Sequence, residues 1–178
     1  MRLILILTGL LAFQGADASE FDQFMNLATT GDAGAQNYIA HLYQTGEGVP
    51  ENYLEAAKWY HKAADQGHAA AQNSLGYIYS NGYGVPESAS KAAKWFLKAS
   101  QQGHAEAQFK LGYAYSNGRG LPENYIKAYV WWSLAKTQGN ALATMLLGEL
   151  KAKMTKKQIA TAQALAAKCY ESNYKDCD

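Results

Sequence analysis

The chain has 178 residues, 48% of them hydrophobic, with a formal net charge of +1 and no basic run. That is ample material for one compact domain, and it lacks the electrostatic footprint of a nucleic-acid binder. Abundant Gly and Tyr against only 3 Pro favour helices joined by short glycine turns over sheets.

Met1-Arg2 gives a positive start, and Leu3 to Phe13 is an apolar run short for a bilayer span. Ala16-Asp17-Ala18 fits the small-x-small pattern of a signal-peptidase site. Residues 1–18 are therefore expected to be a signal peptide, with the mature chain starting at Ser19. The alternative is an uncleaved anchor, disfavoured by the short run and the polar residues that follow it. No cysteine follows the run, which argues against a lipid anchor. No later segment is apolar enough for stable membrane insertion. The expected location is periplasmic or secreted, an oxidising compartment.

Residues 19–31 read as a capping helix. Phe24, Leu27, Ala28 and Gly31 keep the register of Tyr60, Ala63, Ala64 and Gly67, one period further on. That period is 36 residues. YQTGEGVPE from Tyr43, YSNGYGVPE from Tyr79 and YSNGRGLPE from Tyr115 are each that far apart. Trp59, Trp95 and Trp131 keep the same spacing, as do Gly31, Gly67, Gly103 and Gly139. Ala35, Ala71, Ala107 and Ala143 keep it too, with Ile39, Leu75, Leu111 and Leu147. Units follow at 32–67, 68–103 and 104–139, and a partial one at 140–178.

Each unit reads as two amphipathic helices. In helix A of the second unit, Ala71, Leu75, Ile78 and Tyr79 recur at helical spacing. In its helix B, Ala92, Trp95, Phe96 and Ala99 do the same. Asp32, His68, His104 and Asn140 precede helix A, where Asp and Asn are good N-caps. Asn52, Ser88 and Asn124 are the corresponding caps of helix B. Gly82 stops helix A, Gly84 permits a sharp turn, and Pro86 keeps Val85 out of the helical region. A phosphate cradle would follow a strand and occur once, so this thrice-used loop is punctuation. Ala40, Gly76, Gly112 and Gly148 are expected to let neighbouring helices approach closely. One helix pair cannot bury both apolar faces alone, but stacked pairs can.

After the last unit, Thr155 and Gln158 form a capping-box pattern that starts a helix to about Tyr170. Ile159, Ala162 and Leu165 or Ala166 line one face of it. Val130 and Leu134 add apolar surface to the last helix B and are expected to pack under it. Cys169 and Cys177, the only cysteines, bracket YESNYKD and are expected to pair after export. Free thiols or a metal pair are the alternatives, though two cysteines alone make a poor zinc site.

AQNSLGYIYSNGYGV, Ala71 to Val85, and KAAKWFLKASQQG, Lys91 to Gly103, resemble the Sel1-like repeat, a relative of the tetratricopeptide repeat. The likeness covers about Asp32 to Gly139, plus a fourth helix A from Ala141 to about Lys153. It implies an all-α, right-handed α-α superhelix of antiparallel helix pairs. It also implies a non-enzymatic scaffold with no cofactor, which binds a protein or peptide on a concave surface lined by helix A. Exported members are associated with envelope assembly, motility, host-cell interaction and effector neutralisation.

The helix A residues opposite the core, stepping 100° per residue, form a stripe. It comprises Asn37, His41 and Gln44, then Asn73, Tyr77 and Ser80, then Phe109, Tyr113 and Ser116. Rings, amides and hydroxyls suit recognition. The alternative is that Tyr77 and Tyr113 fill space between neighbouring A helices. The regular Trp59, Trp95 and Trp131, with Tyr60, Phe96 and Trp132, are expected in the core.

Chemistry has weaker signals. His41, His61, His68 and His104 do not cluster in sequence. Ser88 to Lys91 and Ser172 to Lys175 match Ser-x-x-Lys, the nucleophile motif of penicillin-binding enzymes, without its partner motifs. A cell-wall or β-lactam hydrolase is thus the rival reading. The cysteine-rich branch of the family discussed in that role carries a disulfide in each repeat, and this chain has none there. A third reading is a structural spacer in an envelope complex.

Overall fold

The computed structural model describes residues 18–177, and the expected signal peptide, save Ala18, lies outside them. Nine helices and no strand occur among the described residues: α1 (Ala18–Thr29), α2 (Ala33–Thr45), α3 (Tyr53–Asp65), α4 (Ala69–Asn81), α5 (Ala89–Ser100), α6 (Ala105–Asn117), α7 (Tyr125–Thr137), α8 (Ala141–Ala152) and α9 (Lys156–Glu171). Each of α1 to α7 packs on the next, so the helix pairs stack into a solenoid, and α9 folds back onto α7. No described helix is long and apolar enough to cross a membrane.

Local chemistry sets the boundaries. Asp32, His68, His104 and Asn140 each accept a hydrogen bond from the backbone three residues on, satisfying an orphan donor of helix A. Asn52, Ser88 and Asn124 do the same for helix B. Gly46, Gly82 and Gly118 close helix A in the left-handed conformation that glycine adopts without strain. Gly84 has a second duty: a Cβ there would lie 2.5 Å from the backbone N of Leu54. The loop of one unit thus rests on the start of helix B in the unit before.

Ile39, Leu75 and Leu111 are fully buried at the centre of successive units. Burying each such side chain stabilises by about 1.5–3 kcal/mol. Gly76 and Gly112 lie where helix A meets its neighbouring helix B. Each receives an aromatic ring from helix B of its own unit, Phe96 or Trp132, where a Cβ would clash. Gly148 faces open space, because α9 packs on α7 and supplies no such ring. On α8, Leu142 and Met145 are accordingly exposed.

Three buried glutamines tie the units together. Gln36, Gln72 and Gln108 donate to the carbonyls of Ala28, Ala64 and Ser100, in the last turn of the preceding helix B, at 3.0, 3.1 and 3.3 Å. Each accepts in turn from Gln66, Gln102 or Gln138, just past its own helix B, at 2.7, 2.7 and 2.8 Å. A buried amide satisfied in this way escapes the penalty of an orphaned polar group.

The tryptophans are not equally deep. Trp131 is fully buried, whereas Trp95 is only half-buried, with the Lys98 ammonium 4.1 Å above its ring. Leu27 on α1 is exposed although its register mates Ala63 and Ala99 are buried. At the other end α9 packs on α7, where Val130 and Leu134 are buried as expected. Thr155 and Gln158 complete the capping box. Cys169 and Cys177 form a disulfide. It closes the turn that lays the Tyr174 ring against Gly103.

Candidate functional site

The stripe expected along the A helices is partly open. Tyr77 is 40% exposed and Tyr113 is 42% exposed. His41 is exposed; Asn37, Gln44, Asn73, Ser80 and Ser116 are half-buried. Phe109 departs from expectation: only 8% exposed, it belongs to the core. Its helix α6 is packed by α5 and α7 and also meets α4, which leaves a narrower free stripe than helical spacing alone implies. Gln44 is engaged within the fold, accepting from the Tyr60 hydroxyl at 2.7 Å. The Asn73 Oδ1 is buried without a hydrogen-bond partner among the described residues.

Two adjoining cavities gather most of these residues. The larger, about 290 Å³, lies between α4, α5 and α6 and is lined by Tyr77, Ser80, Phe109 and Tyr113. The smaller, about 230 Å³, takes in Gln44, Asn73 and Tyr77. Tyr77, Phe96 and Lys110 line both, so the two make one groove. Asn37, His41 and Ser116 line neither.

Sequence reasoning missed the rest of the lining. Ala89, Ala92, Ala93 and Phe96 come from helix B, and Asn81, Lys110 and Arg119 complete the walls. Comparing units position by position was the available signal. Between the first and second units, Tyr53 stacks on Tyr83 with centroids 4.8 Å apart, and Tyr77 tilts onto Tyr83 at 5.6 Å. Hydrogen bonding to Tyr77 pushes the Tyr83 phenol above its ordinary range. One period later, Ala89 stands for Tyr53, Arg119 for Tyr83 and Ala114 for Ile78. Ala89 and Ala114, each smaller than the residue it replaces, line the larger cavity.

The serine–lysine pairs serve the backbone. Ser88 Oγ caps α5 by accepting from Lys91 N at 3.3 Å, while the Lys91 ammonium lies 5.1 Å from the centre of the Tyr79 ring. Ser172 donates to the Cys169 carbonyl at 3.0 Å and accepts from Asp176 N at 2.9 Å. His68 and His104 accept backbone hydrogen bonds at Nδ1, and His61 pairs with the Tyr79 hydroxyl at 3.0 Å. Among the described residues, no three His, Cys, Asp or Glu side chains gather as a metal ion requires.

The family model for the Sel1 repeat matches three times, over residues 33–68, 69–104 and 105–140. Among curated proteins none matches. A Sel1 repeat protein from Oxalobacter formigenes is 32% identical with a TM-score of 0.67, over 72% of this chain and 96% of its own. A protective antigen present in uropathogenic Escherichia coli strains, displaying an SLR fold, is 29% identical with a TM-score of 0.66. The likeness there covers 87% of this chain but only 41% of the antigen. Sel1 repeats generally mediate protein interactions and are typically non-catalytic scaffolds. With three such repeats over most of its length and this solenoid of helix pairs, the chain belongs to the Sel1 repeat family.

Proposed function

We propose that this chain is an exported scaffold that holds a protein or peptide partner in the groove along its A helices. The observation that carries the reading is the double cavity, where Tyr77 and Tyr113 offer half-exposed rings beside the orphaned acceptor of Asn73. Rings and directed polar groups around an apolar floor are what a peptide anchor needs. Export is supported by the Met1 to Ala18 leader pattern and is compatible with the disulfide near the C-terminus.

The test is partner capture from the native envelope with the mature chain as bait. Tyr77→Ala plus Tyr113→Ala loses the partner. Helical content stays unchanged, and melting falls by a few degrees, since the ring contact and the hydrogen bond of Tyr77 with Tyr83 go with it. Normal capture by the double variant places the partner elsewhere. Mass spectrometry of the exported chain gives Ser19 as its first residue.

A further inference from the structure

The larger cavity occupies the place where the first junction keeps its own tyrosine. Tyr53 lies there against Tyr83 with near-parallel rings, 25° between planes. At the second junction that ring is missing. Ala89 stands in the Tyr53 position, and Arg119, at the repeat position of Tyr83, lines the cavity. A guanidinium accepts an aromatic face as readily as a phenol ring does. The walls therefore leave room at the Tyr53 position, beside a residue whose guanidinium can stack on a ring.

Charge narrows the occupant. Lys110 and Arg119 line this cavity, and no carboxylate does. Their nearest acids are outside it and weakly held: Glu106 lies 3.4 Å from Lys110, and Glu87 lies 3.6 Å from Arg119, all four side chains well exposed. Glu106 borders only the adjoining cavity.

We infer that the pocket between α4, α5 and α6 takes an aromatic side chain of a partner peptide with a carboxylate next to it in sequence. The ring takes the place that Tyr53 holds at the first junction, and the carboxylate meets Arg119 or Lys110. This deepens the groove reading and rests on it.

The probes are ten-residue peptides with a central Glu-Tyr-Glu in a Gly-Ser background, titrated calorimetrically against the mature chain. Replacing the peptide Tyr by Ala weakens binding about tenfold or more, and replacing its Glu residues by Lys weakens it further. The decisive variant rebuilds the first junction: Ala89→Tyr plus Arg119→Tyr fills the pocket with the chain's own stack. It folds and melts at or above the parent temperature and binds the probe at least about tenfold more weakly. The inference is overturned if the filled variant binds as the parent does. It is equally overturned if the parent ignores both peptide changes, or binds none of the probes. Should the partner from the envelope still need Tyr77 and Tyr113 in that case, the groove reading stands and only the aromatic–acidic occupant is lost.

Discussion

Gln102 donates a hydrogen bond of 2.7 Å to Gln72, a residue 30 positions earlier, and Gln72 passes a second bond to the carbonyl of Ala64. The same relay recurs at Gln66 with Gln36 and at Gln138 with Gln108. The ends of successive B helices are thereby locked to one helix A.

Breaking one link orphans groups on both sides. Gln72→Leu is expected to destabilise by about 1–3 kcal/mol, because Leu fills the space but satisfies neither neighbour. Urea unfolding measures it. The exposed Gln101, substituted in the same way, changes stability by about 0.5 kcal/mol or less.

Two glycines at the same repeat position should respond with opposite signs. A Cβ at Gly112 would lie 2.5 Å from the Trp132 indole, so Gly112→Ala overpacks the core and costs about 1–3 kcal/mol. Gly148 has nothing within 4 Å, so Gly148→Ala gains up to about 1 kcal/mol of helix propensity. Thermal melts of the two single variants decide the matter.

How much of this was legible follows from what kind of contact each feature is. Helix order, caps and turns are local, and Asp32, Asn52 and Gly82 announced them by type and position. The burial of Val130 and Leu134 under α9 was readable because two apolar residues replace Lys94 and Lys98 of the unit before. The glutamine relay was not, since it joins polar side chains whose partners lie far apart in sequence. Phe109 was misplaced because a solenoid helix has neighbours on several sides, and the exposed stripe is narrower than one-sided packing implies. The pocket itself is a difference between units: Ala89 and Arg119 matter only beside Tyr53 and Tyr83.

His104 makes stability depend on pH in a stated direction. Burial lowers its pKa below the ordinary 6.5, while the charge of Glu106 pulls it partly back. Its Nδ1 must stay unprotonated to accept from Ala107 N at 3.3 Å. The contribution is therefore complete well above about 6.5, where neither folded nor unfolded imidazole holds the extra proton. It declines as pH falls through the lowered folded value. His104→Asn, the residue at position 140, keeps the cap and flattens this part of the profile as pH falls below about 6.5. The share of His61, also lowered by burial, remains. Chemical denaturation at a series of pH values in that window measures the slope.

The central claim is that the partner sits on the helix A side. Benzoylphenylalanine in place of Tyr113, in the groove, and in place of exposed Lys94 on helix B tests it most directly. After illumination in the native envelope, position 113 is expected to give partner adducts and position 94 none. Adducts at 94 with none at 113 would contradict the account and make the chain a spacer held by its outer face.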